Sequence, residues 1–190
     1  KAGPVVSDVH ISSTPIEGTN KITAGGADLY LVFDLLVGLS PGNLVGVSPS
    51  RTVAVVSTSK SPTGLMVRDA SAVYPNLADL QSDMNQATRA ADNRFLDTIA
   101  VTEALFGEST TANIFQLGIA YQLGALPVSA GAIESAIELN GAAVEANKLA
   151  FRWGRLWAID PARVREHSVF AEDYLPKPTQ RVEEAIVSLG

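Results

Sequence analysis

Two nearly unbroken apolar runs constrain this chain more than any other feature: ADLYLVFDLL at 27–36 and RTVAVVSTS at 51–59. A strand with one wet face alternates apolar and polar residues, whereas a strand covered on both faces does not need to. Two such runs therefore call for a mostly parallel sheet with helices on each side. The intervening signals agree. PVVSDVHI at 4–11 is rich in β-branched residues and predicts a strand. EGTNKITAGG (17–26) is turn-rich, and Ser40-Pro41 reads as a short helix start. NLADLQSDMNQATRA (76–90) places Leu77, Leu80, Met84 and Ala87 on one helical face. NRFLDTIA (93–100) holds one more short strand, and VTEALFG beyond it reads as a helix ended by Gly107.

From about residue 110 the alternation gives way to helices. TTANIFQLGIAYQLGAL (110–126) stacks Ile114, Leu117, Gly118 and Tyr121 on one side. SAGAIESAIELN (129–140) starts at Ser129 as N-cap and stops near Asn140-Gly141. AAVEANKLAFRWGRLWAID (142–160) carries the cleanest stripe: Ala142, Ala146, Leu149, Ala150, Trp153, Leu156 and Trp157. Asp160-Pro161 ends it and caps a short turn. The predicted fold class is α/β, a largely parallel sheet with flanking helices and a helical C-terminal layer. The domain is expected to span 1–164, with 165–190 a tail holding a weak helix from Thr179.

Composition narrows the chemistry. The chain has 190 residues, 46% apolar and 18% charged, enough for a sizeable core in one globular domain. Its net charge of −6 leaves no electrostatic footprint for nucleic acid. There is no cysteine, which removes disulfides, thiolate catalysis and cysteine-ligated zinc or iron–sulfur clusters from this chain. His10 and His167 lie far apart in sequence and read as surface or packing residues. No apolar run approaches the ~20 residues that span a bilayer. Lys1 is not followed by the apolar stretch of a secretory signal; cysteine usage leaves the compartment open, and a cytoplasmic location is expected.

In open α/β sheets, ligands sit beyond the carboxyl ends of the strands. That rule selects Asp34 after the second predicted strand, the Ser57–Thr63 loop with Thr58, Ser59 and Lys60 after the third, and Asp97 and Thr98 after the fourth. Thr58 and Ser59 suit a phosphate or a cofactor tail. The plainer reading of the loop is a polar turn, and the plainer reading of Asp34 and Asp97 is a helix cap. Asn113 and Asn140 fit caps as well. Gly25-Gly26 precedes a strand instead of opening a helix, so it reads as a turn and not as a phosphate loop. The tryptophans read as core or interface anchors. The Arg152/Arg155 face reads as solvated or as a contact with another domain. No Ser-His-Asp pattern, HExxH or reactive cysteine occurs.

Several blocks, in order, carry a resemblance: KAGPVVSDVHIS, AGGADLYLVFDLLVGLSP, AVVSTSKSPTG, and NIFQLGIAYQLGALPVS with AIESAIELNGAAVEANKLAFRWGRLWAIDPARV. Over about residues 1–164 the chain resembles the γ-type domain of 2-oxoacid:ferredoxin oxidoreductases, nearest to the fused-chain indolepyruvate branch. That family's γ-type domain normally begins earlier, with a Gly-rich βα unit that is missing here. The chain is thus expected to match from the domain's middle onward. Family members usually read Ser-His-x-Arg where Ser7-Asp8-Val9-His10 stands, and often Cys where Phe33 stands.

The resemblance implies oxidative decarboxylation of 2-oxoacids to acyl-CoA by the holoenzyme. The holoenzyme's cofactors are thiamine diphosphate, iron–sulfur clusters passing electrons to ferredoxin, and coenzyme A. Thiamine and clusters belong to other domains of the same oxidoreductase. This fragment is expected to bind neither, to be inactive alone, and to form a homo-oligomer. Strand-end geometry and the family blocks together nominate Ser7, Asp34, Thr58, Ser59, Asp97 and Asn113 as cofactor-facing residues, with no catalytic and no metal-ligating residue. A rival reading is a non-catalytic assembly module that kept the scaffold.

Overall fold

A computed structural model describes residues 5–16, 18–19, 21–60 and 73–174, with side chains through residue 167. Its centre is a parallel sheet of strand order β1-β2-β3, with β1 at Leu29–Val32, β2 at Val53–Ser57 and β3 at Arg94–Leu96. Leu29 pairs with Val53 and Val32 with Val56 on one side of β2. On the other, Val55 pairs with Arg94 and Ser57 with Leu96. Parallel neighbours need crossovers. Short helices α1 (Leu35–Gly38) and α2 (Pro41–Leu44) lie between β1 and β2, and α3 (Leu77–Ala87) lies between β2 and β3.

The central strand is buried on both faces, as its sequence predicts. Ala54, Val55 and Val56 are all 0% exposed. Successive side chains point to opposite faces. Val55 joins Leu96, Phe115, Ile119, Ala150 and Val164 in one core. Ala54 and Val56 join Val32, Leu35 and Met84 in the other, which α3 closes.

The first core is covered by helices that follow β3: α4 (Thr98–Phe106), α5 (Ala112–Gln122), α6 (Ala130–Asn140), α7 (Val144–Ile159) and α8 (Pro161–Tyr174). Their ends follow local chemistry. Gly107 and Gly141 close α4 and α6 at φ of 73° and 72°, where only glycine is unstrained. The Ser129 hydroxyl accepts the Ala132 N–H, as an N-cap should. α5 is fixed from both ends. Gln116 in its first half reaches the Val32 and Val55 carbonyls, while the turn that leaves it, Leu123–Pro127, lies beside the strand starts at Val53 and Arg94. α5 therefore runs against the strands, with its N-terminus at their carboxyl edge.

Four expectations are corrected. Residues 5–11 form no strand: Val5 is 86% and Val9 69% exposed. High β-propensity makes a strand only where a ladder partner exists, and this segment has none among the described residues. The 27–36 run is a strand only to Val32, on an edge of the described sheet. The Asp34 carboxylate then captures the Leu36 and Val37 N–H groups at 3.0 and 3.2 Å and turns the chain into α1. The buried face of α7 is rotated from the predicted stripe: Ala150, Phe151 and Gly154 are buried, while Leu149 is 46% exposed. The cause is Gly118 of α5 opposite Gly154, which lets the two backbones touch. Finally, Asp160 caps not a short turn but α8, accepting the Arg163 N–H at 3.0 Å. That helix runs across the 164/165 division. The loop at 61–64 and the helix from Thr179 lie outside the described residues.

Candidate functional site: a polar rim at the carboxyl edge of the sheet

The carboxyl edge gathers most of the residues that the strand-end rule selects. β1 ends into Asp34, β2 into Ser57–Lys60, and β3 into Asp97, with the first turn of α5 beside them. Ser57, Thr58 and Ser59 are buried, at 3%, 9% and 4% exposure. The Ser57 hydroxyl donates to Ser59 Oγ at 3.0 Å, and the Ser59 hydroxyl donates to Asp97 Oδ1 at 2.6 Å. Ser59 Oγ also accepts the Ile99 N–H, and Asp97 Oδ1 accepts the Ala100 N–H. The Thr58 N–H donates to the Leu96 carbonyl, prolonging the β2–β3 ladder by one bond.

This is a strap between the exit of β2 and the start of α4. Its hydroxyl donors are spent inside the protein, and at the start of α4 the Ala100 N–H is held by the Asp97 carboxylate and the Ile99 N–H by Ser59 Oγ. An external anion has no seat there. The Ser59–Asp97 pair also lacks the imidazole that would turn a serine into a nucleophile. His167 is elsewhere, its Nδ1 against the Arg163 carbonyl and its ring against Trp153.

The groups that keep bonding capacity stand around the strap. Thr58 makes no side-chain hydrogen bond among the described residues, and Asn113 is exposed and caps nothing there; the N-cap position of α5 is Thr111. The Lys60 ammonium lies 5.7 Å above the ring of Tyr74. Burial, and then the nearby Asp34 charge, push the Tyr74 phenol above its ordinary pKa, so it stays a neutral donor. Lys60 and Tyr74 thus offer a cation and a hydroxyl next to Asp34. Tyr74 was not selected from sequence, because it follows no strand.

Beneath the rim lies a second polar layer, in which the strand-end rule selects Thr98 but not Gln116. Gln116 is 0% exposed, and its Nε2 donates to the Val32 carbonyl at 3.0 Å and the Val55 carbonyl at 2.7 Å. Its Oε1 accepts the Thr98 hydroxyl at 3.4 Å. The signal was present: in NIFQLGIAYQ, Gln116 sits between apolar neighbours on a helix that packs on a sheet.

Ser7 does not join the rim. Next to it, Asp8 accepts the Ile22 N–H at 3.2 Å, ahead of β1. Arg152 and Arg155 bind neighbouring helices. Arg152 forms a two-pronged pair with Glu134 of α6, and Arg155 stacks over Tyr121 and Phe151 while donating to Gln122. The tryptophans are half-buried against the first core. Among the described residues no cluster of acidic, histidine or cysteine side chains forms a metal site, and no helix is long and apolar enough to cross a membrane.

The fold and rim together define an α/β domain whose parallel strands present polar side chains at their carboxyl edge. Its sequence matches the pyruvate ferredoxin/flavodoxin oxidoreductase family over residues 1–157, and the chain belongs to that family, the 2-oxoacid:ferredoxin oxidoreductases. No protein of curated function matches the chain. No solved structure matches it either.

Proposed function

We propose that this chain is the γ-type domain of an indolepyruvate-like 2-oxoacid:ferredoxin oxidoreductase. In this reading, thiamine diphosphate and iron–sulfur clusters are held by other domains of the holoenzyme, which decarboxylates the oxoacid, forms an acyl-CoA and reduces ferredoxin. The family match over residues 1–157 carries the reading. The rim supports a positioning role over a chemical one. Its hydroxyls are tied to Asp97, while Lys60, Tyr74, Thr58 and Asn113 keep capacity for a cofactor tail such as that of coenzyme A.

The test is turnover by the intact oxidoreductase under anaerobic conditions, with coenzyme A and a viologen acceptor, offering indolepyruvate and pyruvate separately. Indolepyruvate is expected to be the better substrate by kcat/KM. Turnover of pyruvate alone refutes the indolepyruvate assignment. Turnover of neither, by a protein loaded with thiamine diphosphate and clusters, supports the second reading, a non-catalytic assembly domain. The observation favouring that alternative is Phe33, 45% exposed at the end of β1 where an apolar contact with another domain is well placed.

A further inference from the structure

The opposite edge of the sheet holds a feature that the oxidoreductase reading does not use. An open cleft of about 450 Å³ lies between the strand starts and the turn that leaves α5. Three guanidinium groups line it, from Arg51, Arg89 and Arg94, together with the carboxylates of Asp28 and Asp92. Two of the cations are already paired. Arg51 Nε donates to Asp28 at 2.7 Å, and Arg89 Nη2 to Asp92 at 2.6 Å. Arg94 pairs with no carboxylate among the described residues. Its Nη1 donates to the backbone carbonyls of Asp92 at 3.1 Å and Asn93 at 2.9 Å.

That arrangement has a chemical consequence. A guanidinium carries five N–H donors in a rigid fork. The two carbonyls occupy Nη1 and anchor the group. The Nε and Nη2 side of the fork remains, and it matches the spacing of two oxygens on a carboxylate or phosphate. Because the head is already held, binding an anion costs little extra side-chain ordering. The facing wall is apolar, built by Leu123, Ala125 and Pro127. Counting the five charged side chains, the cleft is cationic by one, within a chain of net charge −6.

We propose that this cleft binds a small organic anion, its carboxylate or phosphate on Arg94 and its apolar body against the Leu123–Pro127 turn. The proposal stands on the geometry of this edge and does not depend on which oxoacid the holoenzyme uses.

Calorimetric titration of the intact protein with phenylacetate, phenyl phosphate and benzyl alcohol tests it. At least one of the two anions is expected to bind saturably, and which one does so separates carboxylate from phosphate as the ligand chemistry. Benzyl alcohol is expected to give no saturable heat. Arg94→Gln is expected to weaken anion binding at least about tenfold, the loss of roughly one charge-assisted bond. Arg152→Gln, on α7, is expected to leave it unchanged. If Arg94→Gln does not fold, Arg94→Lys, which keeps the charge and loses the fork, must still weaken binding several-fold. Absence of binding by both anions overturns the proposal. So does binding that the foldable Arg94 variant leaves within about twofold of wild type.

Discussion

Asp97 shows how one carboxylate decides what the rim can do. It accepts both the Ala100 N–H and the Ser59 hydroxyl, so it caps α4 and ties β2 to it. Asp97→Ala removes both bonds and is expected to cost about 1–2 kcal/mol, read as a lowered urea midpoint. Ser59→Ala is expected to cost about 1 kcal/mol. Because they share a bond, the double variant should lose less than the sum of the two. Strict additivity would mean that the strap is not a unit. Gln116 is the more demanding position. Gln116→Leu leaves the Val32 and Val55 carbonyls without that donor, and a loss of about 2–3 kcal/mol is expected. A shift within about 0.5 kcal/mol would show that water or backbone replaces the amide. At this scale the sequence was half legible. A strand-end aspartate reads more plainly as a cap than as a ligand, and the direction of the neighbouring N–H groups decides it. Asp34 and Asp97 both prove to be caps.

The elements were legible where a strong local signal and burial agreed, and misread where packing overrode bulk. Ser129 and Gly107 bound their helices as their chemistry demands, and Val53–Ser57 is the doubly buried strand its residues describe. The α5–α7 contact was half legible: Gly118 falls on the apolar side read for α5, but Gly154 was left off the stripe of α7, because apolar periodicity ranks large side chains. Here glycine is the contact. An added Cβ at Gly118 falls on the Phe151 carbonyl oxygen, and one at Gly154 on that of Phe115, both well inside van der Waals distance and both against backbone that cannot rotate away. Gly118→Ala and Gly154→Ala are each expected to cost about 3 kcal/mol or more, although alanine is the better helix former. Thermal unfolding of the two variants checks this, and a melting temperature at or above wild type for either would refute the close crossing. A softer tie joins α6 to α7. The Arg152 guanidinium holds the Glu134 carboxyl below its ordinary value. A lowered carboxyl pKa contributes stability that is present above the unfolded value and fades as pH falls through the folded one. Glu134→Gln should therefore destabilise slightly at neutral pH, and less at high salt, and converge on wild type in acid. A deficit that persists at acid pH would point to packing instead of charge.

For the whole molecule, the exposed apolar surface is where a contact with another chain would bury the most. Leading into the sheet, Val5, Val6, Val9 and Ile11 are 86%, 56%, 69% and 48% exposed. Residues of high β-propensity are thus presented to solvent, in a chain whose described sheet has outer strands, β1 and β3, that each pair on one side only. Such a segment gains both ladder bonds and apolar burial by adding to an edge, and a second copy of the chain offers that edge at no entropic cost beyond association. We therefore expect self-association through residues 5–11, seen by light scattering as a mass that rises with concentration. Val6→Asp with Val9→Asp puts two charges where the ladder would bury side chains, and it should hold the protein at the lower mass. The substitutions fall outside every described strand and helix, so the fold should survive, with unchanged circular dichroism. A wild-type mass that stays monomeric across the series would refute self-association through this segment. A dimer that both aspartates leave intact would place the self-contact elsewhere, with the half-buried Trp153 and Trp157 of α7 the next surface to alter.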